Sequence, residues 1–419
     1  MRLFESEYSG RLFQKVLELA GIFSSAGGRA LLVGGAVRDA LMGRQVKDFD
    51  IEIHDLSAER VLELLQRNCE IDAVGMSFGV IKVKHFDLDI SLPRRENKTG
   101  AGHRGFLVEV DPQLSISEAA ARRDFTVNAI MYDPLTCELL DPHGGAADLE
   151  KGVLRHVSGH FAEDPLRVLR GMQFAARLGF SFAPETVEIC REIDQNELPV
   201  ERIGIEWEKL LLQGVKCSAG LTFLQQCRWV RFYPELESLS PEEWNKTLAL
   251  LDSCASSRSG ERQKDLLLMT AALVSGMAPE AGNSFCCRLW NRHELIKKAL
   301  QLAAAFREYT SENIEVTPAL CRRISYRLDG SLLFTTLLRC SGFEAQAQRF
   351  ETVSRECGVF DIPPVPLVGG KECLQAGLKS GPRMGQYLKL CFEAQLDGLF
   401  SDLQGGSAYL AELLEKKGR

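Results

Sequence analysis

The chain has 419 residues, room for two or three domains at about 150 residues each. Its 50 basic and 57 acidic side chains leave a net charge of −7, and 45% hydrophobic with 26% charged residues is ordinary globular composition. That excludes a disordered chain, a collagen or a coiled coil, and makes any phosphate-binding surface a local patch on an acidic body. Thirteen cysteines, an odd number without a Cys-x-x-Cys pair, read as reduced, buried small side chains rather than a zinc site. The N-terminal segment is interrupted by charges, and LLLMTAALVSGMAP is too short to span a bilayer. The expectation is a protein without a membrane span, in a reducing, cytoplasmic compartment.

In chain order, Leu12, Val16, Leu17 and Leu19 follow helical spacing. Ala30 to Gly34 is a short β run, and AVRDALMG a helix ended by Gly43. DFDIEIHD alternates acidic and apolar residues, so it predicts a strand with its carboxylates on one face. GVIKVKHFDLDISL holds two further β-like segments around Lys84 and His85. From about Ser158, helix-length segments such as DPLRVLRGMQFAARLGF and RIGIEWEKLLLQGV dominate. Phe360 to Gly370, rich in proline, predicts an extended connector before a last helical segment. The expected architecture is an α+β head with a mixed β-sheet, followed by an all-α remainder.

The chemistry concentrates in LLVGGAVRDALMGRQVKDFDIEI. Gly34 and Gly35 end a strand and open a helix, where absent Cβ atoms and free N–H groups suit a triphosphate. Asp48 and Asp50, two residues apart on a strand, face the same way, and paired hard carboxylates suit Mg²⁺. Alone, each feature is equally a tight turn or a solvated strand face; together they point to two-metal phosphoryl transfer.

GGAVRD followed by KDFDIEI resembles the first signature of the class II tRNA nucleotidyltransferases and bacterial poly(A) polymerases, in the polymerase-β superfamily. RRDFTVNAI (122–130), DPHGGAADL (141–149), EDPLRVLR (163–170) and ERIGIEWEKLL (201–211) resemble the family's later motifs, in order. The resemblance covers about the first half of the chain. It implies a catalytic head at 1–157, a base-reading helical neck at 158–225, a helical body at 226–345 and a tRNA-binding tail at 346–419. Asp48 and Asp50 would be metal ligands, with Asp89 the candidate third carboxylate. Gly34, Gly35 and Arg38 would meet the incoming nucleotide, and Arg123, Asp124 and Asn128 its ribose and triphosphate. Asp124 would accept from a 2′-OH.

Asp164 and Arg167, read as i and i+3 on one helix face, would serve as a template for the base. Cytosine and adenine offer an amino donor to the Asp beside an acceptor for the Arg, whereas uracil and guanine offer the reverse. Two mismatches would cost roughly 2–6 kcal/mol. Arg170 would reach the phosphates. Where relatives often carry another Arg, this chain has Gln173, which leaves Arg177 as a substitute contact. In PRRENKTGAGHRGF, the resemblance implies a flexible loop in which Arg94, Arg95 and Glu96 help switch specificity from C to A, with His103 a solvent or phosphate contact. Arg288, Arg292, His293, Lys297 and Lys298 are candidate RNA contacts. Val274-Ser275 stands where some relatives carry a His-Asp metal pair, so no phosphohydrolase activity is expected. The implied activity is addition or repair of the 3′-terminal CCA of tRNA from CTP and ATP with Mg²⁺. CC-only addition, A-only addition, poly(A) synthesis and a catalytically inactive RNA-binding relative are the alternatives.

Overall fold

The computed structural model describes residues 3–4, 10–72, 79–98, 106–195, 198–311 and 314–417. The chain divides into two compact units, Met1–Tyr233 and Pro234–Arg419.

The first unit begins α1 (Arg11–Ser25), β1 (Arg29–Val33), α2 (Gly35–Leu41), β2 (Phe49–His54), α3 (Ala58–Asn68), β3 (Ile71–Asp72), β4 (Val80–Val83) and β5 (Leu88–Ser91). It continues β6 (Arg94–Lys98), β7 (Phe106–Val110), α4 (Ile116–Ala121), β8 (Met131–Asp133), β9 (Glu138–Leu140), α5 (Gly145–Lys151) and β10 (Val153–Leu154). It ends α6 (Leu166–Leu178), β11 (Ser181–Phe182), α7 (Pro184–Glu192), α8 (Val200–Gln213) and α9 (Cys217–Gln226). Seven strands form a mixed sheet ordered β3-β4-β5-β2-β1-β8-β9, with β2 and β5 parallel and the other neighbours antiparallel.

β1 is apolar on both faces because both are covered. Ala30 and Leu32 join a core with Phe23, Val61 and Leu65, while Leu31 and Val33 join another with Ala120, Ala129 and Met131. The β1–β2 register sets Asp50 opposite Val33 and Glu52 opposite Leu31. Period two therefore sends Phe49, Ile51 and Ile53 into the first core and turns the two acids to the other face.

The segment read as a flexible loop is partly strand. β6, with Arg94, Arg95 and Glu96, pairs antiparallel with β7, and Arg95 Nε lies 2.7 Å from Asp111 Oδ2. The backbone groups of 94–98 and 106–110 pair in antiparallel register, which the glycine-punctuated centre had masked in the sequence. The Glu96 side chain and residues 99–105, His103 among them, lie outside the described residues.

DPHGGAADL forms a clamp. Asp141 accepts hydrogen bonds from the Gly145 and Ala146 N–H groups (2.7 and 2.9 Å) at the start of α5. A Cβ on Gly145 would stand 2.1 Å from the Thr126 carbonyl oxygen. Thr126 Oγ1 donates to Asp148 Oδ2 at 2.7 Å, so α5 pins the 3₁₀ turn Thr126–Asn128 from behind.

The second unit contains α10 (Pro234–Glu237), α11 (Pro241–Ser256), α12 (Arg262–Val274), α13 (Pro279–Leu289), α14 (His293–Ser311) and α15 (Pro318–Leu328). After them come α16 (Leu332–Cys340), α17 (Glu344–Glu356), α18 (Gly370–Gln375), α19 (Pro382–Asp397) and α20 (Leu403–Lys417), with no strand among the described residues. The connector before α18 is irregular, and Gly381–Pro382 opens α19. Trp207, Trp229, Trp244 and Trp290 are all buried. All thirteen cysteines are thiols, eight of them buried. Among the described residues, no helix is long and apolar enough to cross a membrane.

Candidate active site

A cavity of about 510 Å³ in the first unit is lined by Gly34, Gly35, Arg38, Asp48, Asp50, Arg123, Asp124, Asn128, Asp164, Arg167 and Arg170. Segments spread over more than 130 residues thus meet where β1 ends and β2 begins, two central strands of the sheet. Gly34 takes φ +73, a left-handed turn between β1 and α2, and a Cβ there would lie 3.5 Å from Arg123 Nη1 and 3.6 Å from Asp50 Oδ2.

Asp48 precedes β2 and Asp50 is its second residue. Burial, reinforced by the Asp48 and Asp89 carboxylates, pushes the Asp50 carboxyl above the usual carboxylate range, while Arg123 pulls it down. This surplus of negative charge is what a hard cation relieves, so the residues fit a divalent metal. Among the described residues no group of three or more His, Cys, Asp or Glu side chains could hold one. Two carboxylates leave the remaining positions to water and substrate phosphates. Asp89 pairs in register with Asp50 across β2 and β5, but it is absent from the cavity wall and lies 3.8 Å from Lys82 Nζ. Asp89 thus stands beside Asp50 on the neighbouring strand, close enough for its charge to act on that carboxyl.

Behind the acids runs a hydrogen-bonded chain. Arg38, 3% exposed, donates from Nη1 to Asn128 Oδ1 (2.6 Å), and Asn128 Nδ2 donates to Asp124 Oδ1 (2.9 Å). The Phe125 N–H donates to the same oxygen at 2.8 Å, while Arg170 Nε and Nη2 reach Asp124 Oδ2 at 2.7 and 2.6 Å. Burial opposes ionisation of Asp124, but Arg170, Asn128 and the Phe125 N–H outweigh it and hold the carboxyl below its ordinary range. Four donors fill the carboxylate's four lone-pair sites. The acceptor expected for a ribose hydroxyl thus has no open lone pair, because Asp124 is the joint between the 126–128 turn and α6. Arg123 pairs elsewhere, with Glu52 Oε2 at 3.1 Å, and Glu52 also lies 3.1 Å from His54 Nε2.

Asp164 and Arg167 do not share a helix face as i and i+3. Pro165 and an extended Asp164 (φ −119, ψ 104) end a short 3₁₀ segment before α6. Asp164 Oδ1 accepts the Leu166 N–H at 3.0 Å, and Oδ2 accepts from Arg202 Nη2 at 2.9 Å. Arg167 is anchored to backbone, donating to the His160 and Arg122 carbonyls at 2.5 and 2.7 Å.

Sequence reasoning missed Phe174, Arg202 and Lys209 in the wall. The guanidinium carbons of Arg38, Arg170 and Arg177 lie 5.2, 5.3 and 5.7 Å from the Phe174 ring centre, within cation–π range. Phe174, four residues after Arg170 and three before Arg177, carries that signal in the sequence. Gln173, 1% exposed, accepts from Arg177 Nη1 at 3.0 Å. Arg202 and Lys209, seven apart on α8, fall on the face that meets α6.

In the second unit, Arg288 pairs with Glu235 (3.0 Å) and Lys298 with Asp329 (3.6 Å). His293 and Lys297 line a separate cavity of about 370 Å³ with Arg327.

A head of this topology, with two acids facing clustered guanidiniums, defines a nucleotidyltransferase class of site. Residues 30–155 match the model of the poly(A) polymerase head domain. A multifunctional CCA protein of Stenotrophomonas maltophilia is 34% identical over 349 residues, covering 77% of this chain and 82% of that protein. One from Xylella fastidiosa is 40% identical over 222 residues, covering 50% of this chain and 51% of its own length. The chain thus spans about half the length of several curated relatives it matches. The CCA-adding enzyme of Bacillus stearothermophilus in complex with CTP shares the fold at 24% identity, with a TM-score of 0.74 over 98% of this chain and 99% of that one. The Thermotoga maritima CCA-adding enzyme complexed with tRNA does so at 20% identity and a TM-score of 0.68, over 98% of each chain. The chain belongs to the CCA-adding enzyme family.

Proposed function

We propose that this protein is a template-independent nucleotidyltransferase that builds or repairs the 3′-terminal CCA of tRNA from CTP and ATP, releasing pyrophosphate. The observation that carries the reading is the cavity itself, with the Asp48–Asp50 pair facing Arg38, Arg123, Arg170 and Arg177. Asp48 and Asp50 would hold Mg²⁺, which when bound supplies activation of the attacking 3′-hydroxyl and charge neutralisation at the phosphates. Arg38 and Arg170, fixed through Asn128 and Asp124, orient the triphosphate. Arg177 makes no ion pair among the described residues and is desolvated, which lowers its pKa; a phosphate would restore its lost solvation.

Asp164 and Arg167 read the base edge. Anchoring by Arg202, the Leu166 N–H and two carbonyls fixes the placement of both side chains, so a wrong base would meet a rigid mismatch. Arg94, Arg95 and Glu96 on β6 would tune the change from C to A. We further assign 1–157 as catalytic head, 158–225 as neck, and 226–345 and 346–419 as the body and tail that hold tRNA, with the cytoplasm as the place of action.

Incubation with tRNAs ending before CCA, after C and after CC, each with one labelled nucleotide, tests the reading. CCA addition requires C, C and A incorporation on the respective ends. Stopping after CC, adding A alone or running on into poly(A) would select one of the narrower enzymes. No incorporation on any end, with tRNA still bound, would identify an inactive relative.

A further inference from the structure

β2 carries a further acid on the face that bears Asp50. Period two sets Glu52 and His54 on that face as well, and they are buried, 8% and 3% exposed. Glu52 Oε2 accepts from Arg123 Nη2 at 3.1 Å, and Glu52 Oε1 lies 3.1 Å from His54 Nε2. An ionised carboxylate only accepts, so His54 presents its N–H at Nε2 and steadies the acid that holds the arginine. Arg123 lines the cavity, whereas Glu52 and His54 stand behind it. Among the described residues, Glu52 is the only acceptor for the Arg123 guanidinium, whose Nε is buried without a partner.

That guanidinium stands close to the carboxylates that a cation needs. Arg123 Nη1 and Asp50 Oδ2 lie 3.5 and 3.6 Å from the point a Cβ on Gly34 would occupy, so they are no more than about 7 Å apart. Gly34 has no side chain to stand between them. The other acids of the wall are already held, Asp39 by Arg38, Asp124 by Arg170 and Asp164 by Arg202. Asp48 and Asp50 make no ion pair among the described residues, so they are the open partners in the cavity for an Arg123 released from Glu52. A guanidinium seated on Asp50 would take up the lone pairs through which that carboxylate binds a cation. We propose that Glu52 is a positioning residue that keeps Arg123 off Asp50 and so leaves the Asp48–Asp50 pair free for a divalent cation, a role that rests on those two acids being the metal ligands. Glutamine at position 52 keeps the shape and one acceptor but removes the charge that outcompetes Asp50 for the arginine. A hydrogen bond between charged groups is strong enough to weaken a competing cation roughly 10- to 100-fold.

The test measures Mn²⁺ binding to the full-length, nucleotide-free protein, read as loss of the free ion's electron paramagnetic resonance signal. The Mg²⁺ dependence of CTP incorporation is followed alongside. Asp50→Ala should abolish the Mn²⁺ site. Glu52→Gln should weaken Mn²⁺ roughly 10- to 100-fold and raise the Mg²⁺ needed for half-maximal incorporation by a similar factor. Its kcat at saturating Mg²⁺ and CTP should stay within about threefold of the parent's. Glu52→Gln combined with Arg123→Gln should bind Mn²⁺ within about threefold of Arg123→Gln alone, because no guanidinium remains to fall on Asp50. A merely structural loss at position 52 would not be repaired by a second substitution. If Asp50→Ala binds Mn²⁺ as the parent does, the metal assignment itself fails, and the role of Glu52 with it. Asp50-dependent binding that Glu52→Gln leaves unchanged, or that the double variant does not restore, overturns the role of Glu52 alone. Where Glu52→Gln does not fold, Glu52→Asp, which keeps the charge on a shorter side chain, should show the same loss and restoration in smaller measure. Parental Mn²⁺ affinity in Glu52→Asp would then overturn it.

Discussion

Replacing Asp164 with alanine should change which nucleotide is accepted more than how fast the accepted one reacts. Asp164 and Arg202 both keep 29% of their side chains in solvent, so their pair is screened and contributes at most about 1 kcal/mol. The lost acceptor for the Leu166 N–H adds about 1 kcal/mol, within the stability of an ordinary domain. The metal ligands and the Arg38–Asn128–Asp124–Arg170 chain are untouched. What disappears is one of two opposed contacts to a wrong base, worth about 1–3 kcal/mol, or roughly 5- to 150-fold in discrimination. Asp164→Asn should go further, because its amide can still accept from Leu166 while offering N–H groups to the carbonyl of uracil or guanine. The assay is kcat/KM for CTP, UTP, ATP and GTP on tRNA lacking CCA, expressed as C:U and A:G ratios. Ratios equal to the parent's in both variants would remove Asp164 from base reading; equal loss of all four nucleotides would make it a structural cap only.

Asp48→Ala or Asp50→Ala should abolish incorporation of both C and A while leaving tRNA affinity within about twofold, measured by filter binding; turnover in Mg²⁺ would refute their role as ligands. Asp124→Asn should destabilise the first unit by about 2 kcal/mol in denaturant titrations, an intermediate cost because Arg170 keeps 34% of its side chain exposed. Since the Asp124 carboxyl is held below its ordinary range, its contribution is present above the unfolded value near 3.9 and lost as pH falls through the folded one. Acid sensitivity below about pH 4 should therefore be smaller in Asp124→Asn, and an unchanged pH profile would contradict the assignment. Gly145→Ala should cost about 1–3 kcal/mol by forcing α5 off the Thr126 carbonyl, read as a lowered melting temperature. Alanine at Arg94, Arg95 and Glu96 together should spare CC addition and impair the final A; equal loss of C and A would reduce β6 to scaffolding.

What the sequence made legible were the elements whose side-chain pattern is local. β1 and β2 declare themselves by period two and by apolar runs, and Gly34 by the turn it must make. Less legible were features set by partners far along the chain. Arg122, Arg123 and Asp124 are adjacent, yet they face Glu163, Glu52 and Arg170 respectively, and no spacing rule assigns those partners. The i and i+3 reading of Asp164 and Arg167 failed locally because Pro165 precedes the first helical residue and its own geometry holds Asp164 extended outside α6. DPHGGAADL was legible only as a motif of the family, and its physical role appears in the structure, where Gly145 lets α5 touch the Thr126 carbonyl.

The charge of the cavity resolves the tension between an acidic chain and a polyphosphate ligand. Its wall holds seven cationic side chains (Arg38, Arg123, Arg167, Arg170, Arg177, Arg202 and Lys209) against five acids (Asp39, Asp48, Asp50, Asp124 and Asp164), a surplus of two on a chain of net −7. The five acids are not interchangeable. Asp39 and Asp124 are bound by Arg38 and Arg170, and Asp164 by Arg202, so three of them fix cations in place. Only the Asp48–Asp50 corner is left with like charges side by side, and there burial, with the neighbouring carboxylates adding to it, raises Asp50. One side of the cavity thus needs positive charge and the other needs negative charge. A cation alone or a triphosphate alone would satisfy one side at the expense of the other. On the proposed function, a nucleoside triphosphate carrying a divalent cation would meet both at once, and the preorganised guanidiniums would make its binding depend on the phosphates more than on the base. Base choice would come from the Asp164–Arg167 rim, where Arg202 and two backbone carbonyls already hold the two side chains. A substitution at Asp164 would then alter selectivity without dismantling the site.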